Sequence, residues 1–94
     1  MPLFVLHCLD KPNSLDLRMA TREAHLAYVR PQMEKLKLGG PMLDENGDMA
    51  GSLMIIDVAD RAEAEAFSAN DPYTKAGLWQ RVEITPFRAT LGQL

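Results

Sequence analysis

The apolar positions in the first half of the chain predict one strand and one long helix. Leu3 to Leu9 is an apolar run of strand-forming residues, and the turn cluster Asp10-Lys11-Pro12-Asn13 follows it. From Ser14 to Leu36 the apolar residues recur at helical spacing. Pro31 interrupts this pattern and removes a helical hydrogen bond, so we expect a kink or a helix in two pieces.

The second half predicts two strands joined by a tight turn, a helix, a short helical turn and a last strand. These elements span Leu38–Leu43, Gly51–Val58, Asp60–Ala69, Asp71–Gly77 and Trp79–Ala89. Asn46-Gly47 is a strong signal for a hairpin between the first two of them. In the Asp60–Ala69 helix we expect Ala62, Ala66 and Phe67 to face the core.

This order of elements is the ferredoxin-like βαββαβ arrangement, an α+β fold with a four-stranded antiparallel sheet and helices on one face. Its first and third strands are central, and they are the two most apolar segments of this chain. The third strand is apolar on both faces, with Met54 and Ile56 on one and Leu53 and Ile55 on the other. Because helices cover only one face, we expect a homodimer packed sheet to sheet.

Composition narrows the classes of partner. With 94 residues, 47% hydrophobic and 24% charged, residues 1–94 are expected to form one globular domain. The formal net charge of −3 disfavours a nucleic-acid partner. No apolar run approaches the ~20 residues of a membrane span, and no export signal is visible, so we expect no membrane partner and a cytoplasmic location.

The long helix carries an unusual stripe of side chains. At about 100° per residue, five side chains lie within about 80° of one another, namely Arg18, Arg22, His25, Val29 and Gln32. The opposite side carries Glu23, Arg30 and Glu34. If that opposite side faces water, the stripe faces inward and predicts a polar pocket for an anionic or oxygen-rich ligand. In the alternative, the helix lies at a sheet edge and both stripes are solvated.

Asp71 precedes Pro72 at a helix start, which predicts a capping role. A second role is compatible with it, since one carboxylate oxygen can cap while the other orients an imidazole. A histidine held by an aspartate is suited to be a general base near neutral pH.

Other candidates for chemistry are weaker. Asp44–Asp48 is similar to the start of a calcium loop, but Met49 and Ile55 stand where that loop needs glycine and glutamate. His7 lies mid-strand among apolar neighbours and predicts a core or interface histidine. Cys8, on the other face of that strand, is expected to be buried and inert. We find no metal-spaced cluster, phosphate loop or dinucleotide motif, and we expect no metal and no cofactor.

Three segments together resemble the YCII-related (YciI-like) family. They are Thr21–Leu26, the stretch from Gly40-Pro41 through the hairpin to Gly51-Ser52, and Asn70–Leu78. The opening strand with its turn and the closing Val82–Phe87 also fit, so the resemblance covers nearly the whole chain. It implies a ferredoxin-like fold of the dimeric α+β barrel type. A relative in this family acts as a dehydrochlorinase in chloroaromatic breakdown, and muconolactone isomerases share the wider fold.

The resemblance also implies a His–Asp pair, whose matching positions are His25 and Asp71. We therefore expect a small enzyme that abstracts a proton from a small-molecule substrate for isomerisation or elimination, with His25 as base and Asp71 orienting it. Arg22 or Arg18 is expected to stabilise negative charge on the substrate, and Ser52 to supply a hydrogen bond. The alternative function is a non-catalytic metabolite-binding or accessory module with the same pocket.

Overall fold

The structure is a computed structural model that describes residues 2–93. In chain order its elements are β1 (Leu3–Asp10), α1 (Leu15–Val29), a 3₁₀ turn (Arg30–Gln32), β2 (Leu36–Leu43), β3 (Met49–Asp57), α2 (Arg61–Ala69), α3 (Pro72–Lys75) and β4 (Trp79–Phe87). No helix in this part of the chain is both long and apolar enough to cross a membrane.

The four strands form one antiparallel sheet in the order β2-β3-β1-β4. The two apolar strands, β1 and β3, are central, and the glycine-containing β2 is an edge, so the ferredoxin-like βαββαβ prediction is confirmed. β1 runs to Asp10 rather than to Leu9, and its register with β4 shifts between these two residues. Asp10 therefore belongs to the sheet and not to the turn in which the sequence pattern placed it.

The core lies between the sheet and the helices on one of its faces. Side chains alternate along β1, and Phe4, Leu6 and Cys8 point into this core. Val29 of α1 and Phe67 of α2 pack against them. The prediction for Phe67 is confirmed.

The helix face predicted for α2 is otherwise wrong, because Ala62 and Ala66 are exposed whereas Ala64 is buried. The short helix packs through Ala64, Phe67 and Ser68, which recur at the spacing of three and four residues that one helix face requires. Its start was correctly identified, since the Asp60 side chain accepts a hydrogen bond from the Glu63 backbone N–H at 2.9 Å.

The β2–β3 hairpin closes as its sequence indicates. Gly47 has a φ of 83°, which favours glycine, and its N–H donates to the Asp44 carbonyl at 3.0 Å. The Asp44 side-chain oxygen Oδ1 accepts from the backbone N–H groups of Asn46 and Asp48. The Asp44 side chain therefore stabilises the turn.

The first helix is shorter than its sequence pattern suggests. It ends at Val29, a 3₁₀ turn containing Pro31 follows, and β2 begins at Leu36. Proline has no N–H to continue the α-helical pattern, and its fixed φ suits the start of the new turn. Pro31 thus ends the helix, and the predicted helical continuation to Leu36 is wrong.

Candidate functional site

His25 and Asp71 meet between α1 and α3. His25 Nδ1 lies 2.9 Å from Asp71 Oδ1, although 46 positions separate the two residues in the chain. Asp71 is the N-cap of α3, and the same Oδ1 accepts a hydrogen bond from the Tyr73 backbone N–H at 2.9 Å. Because α3 packs against α1, the capping residue of one helix reaches the imidazole on the other.

One carboxylate oxygen of Asp71 makes both of these contacts, which differs from the expected division between two oxygens. The other oxygen, Oδ2, is buried and has no hydrogen-bond partner within residues 2–93. The side chain is only 1% exposed, so water screens its charge weakly.

The imidazole of His25 is held on two sides. Its ring stacks on Tyr73 with centroids 4.2 Å apart and an interplanar angle of 17°. A carboxylate oxygen only accepts hydrogen bonds, so Nδ1 carries the proton and the neutral ring has its lone pair on Nε2. Nε2 makes no hydrogen bond within the part of the chain that the structure describes, and His25 lines a cavity.

Arg18 is buried beside this pair. Its guanidinium contacts Asp10 through two hydrogen bonds of 2.8 and 3.0 Å, and the two side chains are 3% and 5% exposed. The guanidinium carbon also lies 4.8 Å from the ring centroid of Tyr73. A planar, bidentate pair of this kind fixes the arginine geometry and neutralises its charge.

Ser52 on β3 is oriented by the same arginine. Arg18 Nη2 donates to Ser52 Oγ at 2.8 Å. A hydroxyl that accepts a hydrogen bond keeps its own hydrogen free to donate, and Ser52 lines the cavity next to His25. Its O–H can therefore donate to an oxygen atom of a ligand.

The cavity has a volume of about 360 Å³ and lies between α1 and the β2–β3 half of the sheet. Its apolar wall consists of Leu26, Val29, Met33, Leu36, Pro41, Met49 and Met54. Four of the five site residues predicted from the sequence line it, namely Arg18, Arg22, His25 and Ser52, while Asp71 lies behind His25. The stripe faces inward at Arg18 and Val29, which are buried, whereas Arg22 is exposed.

Two lining residues were not singled out from the sequence. Tyr73, read only as part of the Asp-Pro-Tyr segment, supports the imidazole. Arg30 was assigned to the solvent side of the helix, and it is exposed, but it also lines the cavity together with Leu26 and Met33. Helical spacing of four and three residues places Leu26, Arg30 and Met33 on one flank of the helix. This spacing could have predicted from the sequence that Arg30 lies beside the two apolar lining residues.

Cys8 is close to the pair but chemically inert. Burial raises the pKa of its thiol to about 12, and the negative charges of Asp71 and Asp10 add to this shift. The thiol therefore stays protonated at neutral pH and is a poor nucleophile. Within residues 2–93, no group of three or more His, Cys, Asp or Glu side chains is arranged to hold a metal ion.

Comparisons with known proteins agree with this fold. The family model of the YCII-related domain matches residues 2–88. The Escherichia coli protein YciI is 34% identical over 94 residues, covering 92% of this chain and 96% of that protein.

Two solved structures extend the comparison. The first is the 5-chloro-2-hydroxyhydroquinone dehydrochlorinase TftG from Burkholderia phenoliruptrix, in complex with 2,5-dihydroxybenzoquinone. It has a TM-score of 0.85 and 36% identity over 92% of this chain and 93% of that one. The second, an antibiotic biosynthesis monooxygenase, has a TM-score of 0.58 at 15% identity over 97% of this chain and 100% of that one, a likeness of fold alone. With both the family model and the YciI relative matching nearly its full length, this chain belongs to the YCII-related family.

Proposed function

We propose that this chain is an enzyme that abstracts a proton from a small hydroxylated or carbonyl-bearing ring compound, for isomerisation or elimination. In this proposal His25 is the general base, and Asp71 orients its ring. The observation that carries the proposal is the 2.9 Å contact between His25 Nδ1 and the buried Asp71 carboxylate, at the wall of an apolar cavity. This contact leaves Nε2 as the basic atom.

The proposed reaction starts with transfer of a substrate proton to Nε2. The electron pair of the broken bond moves into an adjacent carbonyl, and the resulting enolate oxygen accepts a hydrogen bond from Ser52. Asp71 stabilises the positive charge that forms on the imidazole. In an isomerisation the proton returns to another carbon, whereas in an elimination the electron pair expels a leaving group such as halide and the proton passes to solvent.

The similarity to TftG supports this class of reaction and substrate. That protein is a dehydrochlorinase crystallised with a dihydroxybenzoquinone, and loss of HCl is an elimination of the proposed kind. A cavity of about 360 Å³ accommodates a single substituted ring.

The proposal is tested by hydrogen exchange in D₂O. We expect the protein to accelerate exchange of a ring C–H of 2,5-dihydroxybenzoquinone, by removing a proton from the CH₂ carbon of its keto tautomer, or to release chloride from 5-chloro-2-hydroxyhydroquinone. Proton NMR follows the first reaction and ion chromatography the second. Because the proposed base removes a substrate proton, at least one signal should exceed the rate in buffer.

The outcomes separate the two candidate functions. Binding of both compounds, seen as shifts of the His25 ring signals, without exchange or chloride release would contradict the enzyme and favour the metabolite-binding module. Absence of binding would contradict the proposed class of ring compound.

We also propose that the chain forms a homodimer through the uncovered face of the sheet. Val5 of β1 and Leu53 of β3 lie on this face, which the helices do not cover, and these two strands are paired. Both side chains are half-buried in the single chain. Covering such side chains gives about 25 cal/mol per Å² of apolar surface. Size-exclusion chromatography with light scattering at micromolar concentration should give about twice the chain mass of 10.5 kDa. A mass of one chain would contradict the sheet-to-sheet dimer.

A further inference from the structure

We propose that Arg22 and Arg30 form an anion-binding pair at the mouth of the cavity, and that the ligand carries a carboxylate or an equally acidic oxygen. This inference rests on the proposed function for its site and extends it to the charge of the substrate. It also assigns a binding role to Arg30, and it assigns Arg18 to the support of Ser52 rather than to the substrate.

The charges around the cavity carry this inference. Within residues 2–93, three arginines line the cavity, and no aspartate or glutamate does. Arg18 is neutralised by Asp10. Arg22 and Arg30 are exposed, and neither forms an ion pair with another residue of the described range 2–93. Two positive charges at the mouth are therefore uncompensated.

The positions of the two arginines fit a ligand that reaches His25. Eight residues separate Arg22 from Arg30, which is about 12 Å along a helix at 1.5 Å per residue. His25 lies between them in the chain, on α1 with Arg22, and Arg30 begins the 3₁₀ turn that follows this helix. An anionic group bound by either guanidinium thus leaves the rest of a small ligand on the apolar wall, within reach of the imidazole.

The surroundings explain why these two arginines differ from ordinary surface charges. Exposed charges are screened by water and give little binding energy. Beside an apolar cavity the field is concentrated, and a guanidinium can donate two parallel hydrogen bonds to a carboxylate. The apolar wall binds the ring, and the arginines select the anion over a neutral molecule of the same shape.

The test compares benzoate with benzamide, two probes of nearly equal size that differ in charge. NMR titration should show benzoate shifting the His25 ring signals and binding at least about 10-fold more tightly than benzamide. Arg22→Gln and Arg30→Gln should each reduce this preference by about 3- to 10-fold, and the double variant should abolish it. Arg88→Gln, at an exposed arginine beyond β4, is the matched control and should leave it unchanged.

Equal affinity for the two probes, binding of neither, or an equal loss in Arg88→Gln would overturn the anion-binding pair. Its failure is distinguishable from failure of the proposed function. A charge preference that depends on Arg22 and Arg30, without hydrogen exchange or chloride release, retains the pair and rejects the enzyme. His25-dependent turnover without a charge preference retains the enzyme and rejects the anion-binding pair.

Discussion

Replacement of His25 by glutamine is expected to lower kcat/KM by about 10²- to 10⁴-fold, the usual contribution of a general base. The glutamine side-chain amide can still donate a hydrogen bond to Asp71. It has no basic nitrogen, however, at the position from which Nε2 of His25 would accept the substrate proton. Ligand affinity should change far less than turnover, since the apolar wall and the arginines are retained. Steady-state kinetics on whichever ring compound is turned over measures the first effect, and NMR titration measures the second.

The second histidine offers a matched control. His7 lies on β1, on the face of the sheet away from the cavity, 3.9 Å from Glu83. His7→Gln should therefore retain the wild-type kcat/KM. Turnover of His25→Gln within about threefold of wild type would contradict the role of this imidazole as base.

Asp71→Asn isolates the contribution of charge at the same site. Because Oδ1 accepts both from Tyr73 N–H and from His25 Nδ1–H, the amide oxygen of asparagine can retain both contacts. The NH₂ of the asparagine side chain then occupies the place of Oδ2, which has no partner within the described residues. We expect the tautomer of His25 to persist, while loss of the negative charge lowers kcat/KM by about 10- to 100-fold.

Nitrogen-15 chemical shifts of the His25 ring distinguish this from a change of tautomer. Protonated Nδ1 in both wild type and Asp71→Asn, with reduced turnover, fits a carboxylate that stabilises the charged ring. Unchanged turnover in Asp71→Asn would show that Asp71 serves only as the cap of α3.

Sequence pattern predicted the fold well because β1 and β3 coincide with the two most apolar segments of the chain. In β1 the residues facing the core are buried, and those between them are half-buried except for Leu9, which is exposed. A strand that is apolar on both faces is typical of the centre of a sheet, and the sequence pattern therefore predicted the central position that β1 has. The Asn46-Gly47 turn then fixed the pairing of β2 with β3.

The pairing of His25 with Asp71 lay beyond periodicity. It depends on the packing of α3 against α1, a tertiary contact that neither helix encodes alone. Resemblance to the family implied it, whereas local reasoning predicted the capping role of Asp71 and showed only that a second role beside an imidazole is compatible with it. The sharing of one oxygen by both contacts is a matter of atomic geometry that no sequence pattern contains.

Asp10 and Arg30 show how local signals mislead. The residues after Asp10 form a convincing turn, so its burial within β1 was not foreseen, nor was its pairing with Arg18. The helical wheel that placed Arg30 in water assumed a long helix, whereas the helix ends one residue before it. Near a helix terminus, a long side chain reaches the cavity beyond the face its position suggests.

Arg18→Met is expected to lower the free energy of unfolding by about 3–5 kcal/mol, because it leaves the buried Asp10 carboxylate without a countercharge. Methionine fills much of the volume of the arginine stem, so the loss reflects charge and hydrogen bonds more than packing. Ser52 also loses the donor that orients it. Urea unfolding at pH 7, followed by circular dichroism, measures the change.

A surface pair provides the control for this effect. Arg81 lies 3.1 Å from Glu83, with side chains 63% and 49% exposed, so Arg81→Met should cost less than about 1 kcal/mol. The double variant Arg18→Met with Asp10→Asn should be more stable than the sum of the two single losses predicts, since both remove the same interaction. Equal losses in Arg18→Met and Arg81→Met would mean that the Asp10 contact contributes little to folding.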